Sequence, residues 1–431
     1  MSNFFVLEEG GRGHAIVRAL LNGSGDNRIT CIPGNPGIDC HPDVICRDMR
    51  ISQHTAIATI AKAQQAITFV GPEGPLVGGI VKPFDAIGAP IIGPGDDATW
   101  LEGSKARCCD FLSGAGIPVP PYGVFTDVTA ATNHIGASSG PWVIKADGLC
   151  GGKGVVIALE SGMALATINN FMSGDRFDDA GKTIVIQECV TGREVSILAF
   201  VDGETVLPMT TSMDHKPVFE NDRGPMTGGM GAVAPVPFVT AELYDLILQT
   251  IVRPTVAALV QKGIHYRGVI YFGLMITSTG PVVLEINIRF GDPEAQVVLP
   301  LLKTPLDEIF QAMAAGELSR IGDLEWHPGF ACCVVMAAEG YPGKPVVGDE
   351  ITGLGADGQL INRLGEHEIF VYHSGTSRQR CQWRTKSGRV LGVCCTARLL
   401  GMAIKGAYAG AGQIEWRGMH YRHDIGSKAS R

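Results

Sequence analysis

Apolar positions along the first hundred residues switch repeatedly between two periods. Short β-rich runs at 4–7, 28–32, 67–71 and 89–93 alternate with helical patterns such as 55–65. Neighbouring parallel strands need a crossover, so this alternation predicts βαβ units and a doubly wound parallel sheet. A proline- and glycine-rich stretch at 114–121 follows, and beyond it the pattern is mixed. Strand-like 142–146, a glycine-dense loop, strand-like 154–157 and an amphipathic stretch at 163–172 read as a small lid. Strands are expected at 183–188 and 194–201, a long helix near 241–262, and two strands at 267–276 and 281–287. Runs at 331–338, 369–373, 389–397 and 402–409 give a strand-rich tail with one helix. The expected division is an α/β unit at 1–103, a mixed α+β unit at 104–328 with its lid at about 122–190, and a small β-rich unit at 329–431.

A chain of 431 residues exceeds what one core supports, in keeping with several units sharing interfaces. With 45% hydrophobic and 18% charged residues it has the make-up of a globular enzyme. The net charge of -8 argues against the basic face of a nucleic-acid binder, but not against local basic pockets for phosphate. The first eight residues lack the layout of a signal peptide, and no run approaches a membrane span. A cytoplasmic monomer acting on small molecules, with no nucleic-acid or membrane partner, is therefore expected. Twelve cysteines occur singly or as neighbours (Cys108 and Cys109, Cys332 and Cys333, Cys394 and Cys395) without zinc-type spacing. They read as small buried hydrophobes in a reducing compartment.

Four segments carry candidate chemistry. Residues 9–14 (EGGRGH) follow the opening strand, where glycines would let a helix N-terminus approach a phosphate; a tight strand-to-helix turn is an equal reading. Residues 145–154 (KADGLCGGKG) crowd two lysines and many backbone N–H groups into one loop between strands, which suits phosphate. The loop is not a P-loop, since the lysine is followed by glycine and then a strand. At 285–294 (EINIRFGDPE), period-2 alternation puts Glu285, Asn287 and Arg289 on one face and Leu284, Ile286 and Ile288 on the other. Two oxygen-bearing side chains one pleat apart can hold Mg²⁺ and leave room for phosphate oxygens. Residues 210–216 (TTSMDHK) with 224–231 (GPMTGGMG) suit an anionic substrate or a surface turn alike.

Together and in this order these segments resemble the ATP-grasp superfamily and, within it, the phosphoribosylamine–glycine ligase family. The resemblance runs through GGRGH at 10–14, PGNPG at 33–37, VGPEGPL at 70–76, LEGSKA at 101–106, IKADGLCGGKGV at 144–155, MDHK at 213–216, GPMTGGMGA at 224–232 and INIRFGDPEAQ at 286–296. It implies an N-terminal substrate unit, a central ATP-grasp unit and a small C-terminal domain that covers the site. It further implies that Lys105 and Lys145 hold ATP phosphates, with Gly151, Gly152, Lys153 and Gly154 covering them. By the same resemblance Gln187, Glu188 and Val190 form the adenine hinge, Glu194 receives the ribose, and Glu285 and Asn287 ligate Mg²⁺ or Mn²⁺. Residues 10–12, 34–37 and 71–75 match the phosphoribosylamine side, and Asp214, Lys216, Arg289 and Asp292 the face where glycine and the amine meet. His14 and His215 are expected as pocket neighbours. The opening turn departs from the family pattern twice, with Glu8 for the first glycine and Gly13 for a glutamate. A carboxylate there would repel a substrate phosphate, so Glu8 is expected to point away and the amine to bind less tightly.

The implied reaction activates glycine as glycyl phosphate at the expense of ATP, and the amine of phosphoribosylamine then displaces phosphate. No protein nucleophile is needed. Another carboxylate–amine ligase of purine metabolism would keep the ATP residues and change the substrate loops, against which TGGMGA and RFGDPE speak. An NAD-dependent oxidoreductase accounts for the first unit only, and Glu8 stands where its fingerprint needs glycine. A nucleotide-binding regulator would have no use for Lys105, Lys145, Glu194, Glu285 and Asn287 together.

Overall fold

The computed structural model describes residues 2–174, 177–362 and 368–429. Its first sheet is parallel, in the order Val44–Cys46, Asn27–Pro33, Ser2–Glu8, Ile67–Val70, Ile91–Ile92. The Ser2–Glu8 strand lies in the middle and is buried on both sides, which is why it reads as an unbroken apolar run. Phe4 and Val6 join the core under the Gly11–Leu21 helix, while Phe5 and Leu7 join the one containing Ile57, Ala58 and Ala61. Glu8 therefore ends the strand at the carboxyl edge of the sheet, where open α/β sheets place their ligands.

The lid is an antiparallel sheet in the order Tyr122–Phe125, Ile184–Glu188, Trp142–Ala146, Val155–Ala158. The helices Val128–Ala137 and Ser161–Met172 close a separate small core around Ile135, Ile144, Ile168, Phe171 and Ile186. A second antiparallel sheet runs Thr205–Pro208, Arg193–Asp202, Arg267–Thr277, Gly280–Asn287. Beside it, Ala241–Gln261 is long and apolar enough, by length and composition, to cross a membrane, which corrects the expectation that no run approaches a span. Its residues Ile247, Ile251, Val252, Val256 and Leu259 lie in the main core, and Glu242, Asp245, Gln249 and Arg253 are exposed, the pattern of an amphipathic core helix. Pro254 lacks an amide hydrogen, and the helix passes through a wider turn at Leu248–Val252 just before it.

The tail's main sheet runs Met213–Asp214, Gly231–Ala234, Phe330–Ala337, Arg389–Ala397, Glu368–His373, with the Leu400–Ala411 helix packed on it. Two of its strands come from the middle of the chain. Both large cores mix residues from all three parts: Leu7, Leu274 and Val393 share one, and Phe4, Leu198 and Cys333 the other. The parts are thus held by common apolar burial as well as by the polar contacts at the site.

Candidate active site

The Gly280–Asn287 strand carries a bulge. Gly273 faces Glu285 and Leu274 faces Val283, so Leu284 is the extra residue. Regular alternation therefore fails at Leu284, which was expected with Ile286 and Ile288 on the face away from Glu285. From Glu285 onward it holds: Ile286 and Ile288 are buried, while Glu285, Asn287 and Arg289 are half-buried on a cavity of about 480 Å³. The bulge has a use, since the Leu284 carbonyl accepts a hydrogen bond from Lys145 Nζ at 2.8 Å. Lys145 is buried, and burial pulls its ammonium below the ordinary lysine range.

Lys105 opens the Lys105–Gly114 helix, whose N-cap is Ser104. Asp147 pins the lid loop to that helix end: it accepts from the Ala106 N–H at 2.6 Å and from Ser104 Oγ at 3.0 Å. Lys105 Nζ then donates to the Gly148 carbonyl at 2.9 Å. Two lysines and a helix N-terminus so converge on one wall, a favourable place for phosphates. Gly151 and Gly152 take φ of 56° and 76°, a left-handed backbone that favours glycine, and a Cβ at 152 would lie 3.4 Å from the Thr227 carbonyl. The loop thereby reaches the TGGMG segment. At the hinge, Gln187 is buried with Nε2 against Cys109 Sγ, and the Glu188 N–H donates to the Pro121 carbonyl at 2.9 Å.

Lys216 stands between two carboxylates, 3.6 Å from Glu194 and 3.8 Å from Glu285. Burial works against ionisation of Glu285, but Lys216, Lys145, Arg289 and Lys105 together outweigh it and hold the carboxyl below its usual range. Asp214 accepts from the His215 N–H at 2.6 Å and lies against Gly229, where a Cβ would come within 2.7 Å of its Oδ1. Burial first, then Glu294, pushes the Asp214 carboxyl well up, with Lys216 opposing. Glu294 in turn accepts from Ser196 Oγ at 3.4 Å, itself 2.9 Å from the Tyr271 hydroxyl.

The far wall is built of ion pairs between the three parts. Arg289 donates to Glu102 at 2.8 Å and Glu73 at 3.3 Å. Glu102 also accepts from the Ile288 N–H at 2.8 Å. Burial raises its carboxyl to about 7, against the pull of Arg289 and with help from Glu73. From the tail, Arg389 donates to Asp292 Oδ2 at 2.9 Å and to the carbonyls of Gly228 and Asp292, both at 2.6 Å. From the first unit, Arg12 donates to the Phe290 carbonyl at 2.9 Å and to Glu8 at 2.6 Å.

Lys105, Lys145, Gly151, Gly152, Gly154, Gln187, Glu188, Val190, Glu194, Asp214, Lys216, Glu285, Asn287, Arg289 and Asp292 all line this one cavity, while Lys153 is exposed on the loop beside it. Arg12 and the start of 71–75 (Pro72, Glu73) line it too, but Gly10, Gly11 and 34–37 do not. Instead Asn35 donates to the carbonyls of Glu9 and His373, tying that loop to the tail. His14 and His215 are likewise turned to domain contacts: His14 Nδ1 accepts from the His373 N–H at 3.0 Å, and His215 Nε2 from the Gly426 N–H at 3.1 Å. The sequence reading gave no role to Glu102, Glu294 or Arg389, while Glu73 falls within 71–75, which it had matched to the amine side. All three lie within runs that carry the resemblance, Arg389 in GRVL at 388–391, but that run gave Arg389 no role at the site, because its partners lie 97 and 161 residues away.

Comparisons with known proteins match the chain along almost its whole length. Three family models match in order: phosphoribosylglycinamide synthetase N domain over residues 2–102, its ATP-grasp (A) domain over 103–295 and its C domain over 331–428. A phosphoribosylamine–glycine ligase of Synechocystis sp. is 40% identical over 98% of this chain and 99% of its own. The trifunctional purine biosynthetic protein adenosine-3 of Gallus gallus is 39% identical over 98% of this chain, which spans 42% of that longer protein. Among solved structures, phosphoribosylamine–glycine ligase of Thermotoga maritima superposes with a TM-score of 0.82 at 29% identity, covering 98% of this chain and 100% of the other. Biotin carboxylase of Campylobacter jejuni, at 14% identity and a TM-score of 0.74 over 100% of this chain and 95% of its own, shares the fold. With three domain models matched end to end and relatives 40% identical along almost its whole length, the chain belongs to the phosphoribosylglycinamide synthetase family.

Proposed function

We propose that the protein joins glycine to 5-phosphoribosylamine, hydrolysing ATP to ADP and phosphate and passing through glycyl phosphate. One observation carries the reading: residues of all three parts, Arg12, Glu285 and Arg389 among them, close on a single cavity that holds both a wall with two lysines and an oxygen-rich strand face. A carboxylate resists nucleophiles, so glycine needs activation by phosphoryl transfer, and ATP supplies it. Lys105 and Lys145 would neutralise charge on the transferring phosphoryl group, and Gly151 to Gly154 with Lys153 would cover it and keep water from the acyl phosphate. Gln187, Glu188 and Val190 would hold adenine and Glu194 the ribose.

Among the described residues no group of three or more His, Cys, Asp or Glu side chains could hold a metal. Glu285, kept ionised by its lysines, and the Asn287 amide form instead a two-donor, all-oxygen set that fits Mg²⁺ or Mn²⁺ completed by ligand oxygens. Bound there, such an ion would supply charge neutralisation to the phosphates. Asp214 and Lys216 would receive the ammonium and carboxylate of glycine, and Arg289 and Asp292 would keep that wall in place for attack by the amine. The reaction of another ATP-grasp carboxylate–amine ligase of purine metabolism is the competing outcome. We place the three units at 1–103, 104–328 and 329–431, the lid at about 122–190, and the protein in the cytoplasm as a monomer.

The test is to make phosphoribosylamine in situ from ribose 5-phosphate and ammonia, add protein and Mg-ATP, and follow ADP release. Glycine-dependent ADP together with glycinamide ribonucleotide by mass spectrometry is expected. ADP that depends on a different acid or amine would replace this reading.

A further inference from the structure

Glu8 ends the central strand of the first sheet as a buried carboxylate, 5% exposed, and every part of it is engaged. Its Oε1 accepts the N–H groups of Glu9 and Gly10 at 3.0 and 3.1 Å, and its Oε2 accepts Arg12 Nε and Nη2 at 2.7 and 2.6 Å. The side chain fits only because two neighbours have none. A Cβ at position 13 would fall 2.3 Å from Glu8 Cγ, and one at position 71 would fall 2.5 Å from Glu8 Oε2. Glu8 and Gly13, the two departures in the opening turn, therefore occupy the same space. Arg12 is buried as well, lines the cavity beside Pro72 and Glu73, and reaches across to the Phe290 carbonyl at 2.9 Å.

We propose that Glu8 is a positioning residue for the amine-substrate side: it fixes the Arg12 guanidinium in the cavity wall, and Gly13 is the space that lets it do so. This rests on the proposed reaction. The carboxylate is turned away from the cavity, as expected from sequence, and a positioning role departs from the further expectation that the amine binds less tightly. The carboxylate does not line the cavity; Arg12, which it binds, does. With Glu8 in place, one oxygen binds Nε and Nη2 and the Phe290 carbonyl binds Nη1, so the guanidinium is held at three nitrogens and cannot swing.

Glu8→Gln keeps the volume and removes the charge. It is expected to raise the KM for phosphoribosylamine about tenfold while the KM values for ATP and glycine stay within about twofold. Gly13→Ala, whose methyl would displace Glu8, is expected to do the same. In an Arg12→Ala background, Glu8→Gln should add nothing further. Equal changes in all three KM values, no change in any, or a full tenfold effect persisting without Arg12 would each overturn the proposal. Calorimetric binding of ribose 5-phosphate separates this from failure of the proposed reaction. Weaker binding by the Glu8→Gln variant supports the positioning role even if no glycine-dependent ADP forms, and unchanged or absent binding refutes it.

Discussion

The two ends of the cavity use charge in opposite ways. At the end assigned to the nucleotide, Lys105 and Lys145 donate only to backbone carbonyls, and among the described residues no carboxylate pairs with either. Neither is tied up in a close ion pair, so their charge, shared at longer range with Glu285, can turn to a ligand. At the other end each arginine is already tied to acid: Arg289 to Glu102 and Glu73, Arg389 to Asp292, Arg12 to Glu8. There the Arg289 and Arg389 pairs hold different parts of the chain together, while the Arg12 pair lies within the first, and removing one member leaves its partner without its counter-charge. A charged residue in a cavity wall is thus no guide to its role until its partners are counted.

Four measurements test that contrast, in descending order of expected effect. Glu285→Ala, at the nucleotide end, should lower kcat by roughly a thousandfold or more with an unchanged unfolding transition, as expected when charge stabilisation of phosphoryl transfer is lost. Appreciable turnover at saturating Mg-ATP would remove Glu285 from the metal site. Arg389→Ala, at the other end, should instead cost about 3 kcal/mol of stability by stranding Asp292, read as a lower urea midpoint. Loss of activity with no loss of stability would mean that Arg389 serves the substrate and not the junction.

The third measurement concerns the domain contacts behind that junction. Burial holds His215 and His373 at about 4 in the folded chain, against 6.5 when exposed, Arg422 adding to the effect at His215. With folded values lowered, their contribution is complete above about pH 6.5 and fades as pH falls toward 4. From pH 6.5 to 5 each should cost about 2 kcal/mol. An unfolding midpoint that does not move between pH 7 and 5 would show that both imidazoles charge in place. Smallest, Lys145→Ala should raise the KM for ATP about tenfold, leaving the KM for phosphoribosylamine alone; a rise in both would erase the distinction between the two ends.

Much of this was legible in the chain. The alternation of short strand runs with helical patterns over the first hundred residues gave the parallel sheet, because neighbouring parallel strands need a crossover. The order of KADGLCGGKGV, TGGMGA and RFGDPE gave the family, and of the residues assigned to ATP, metal and glycine all but Lys153 line the cavity, whereas most of those matched to the amine substrate do not. The bulge at Leu284 was not legible: an extra residue in one strand is defined only against its partner, and nothing in the sequence states that Leu274 faces Val283.

Sequence alone determined the elements and the chemistry each motif could offer, since periodicity and residue type are local properties. Tertiary structure decided which of those groups are free. Arg12 and Phe290 are 278 residues apart, Arg289 and Glu102 187 apart, and only packing of the shared cores brings them into contact. It also turned Glu8 from an apparent defect into a buried, fully bonded carboxylate, because whether a charge repels a ligand depends on what already neutralises it.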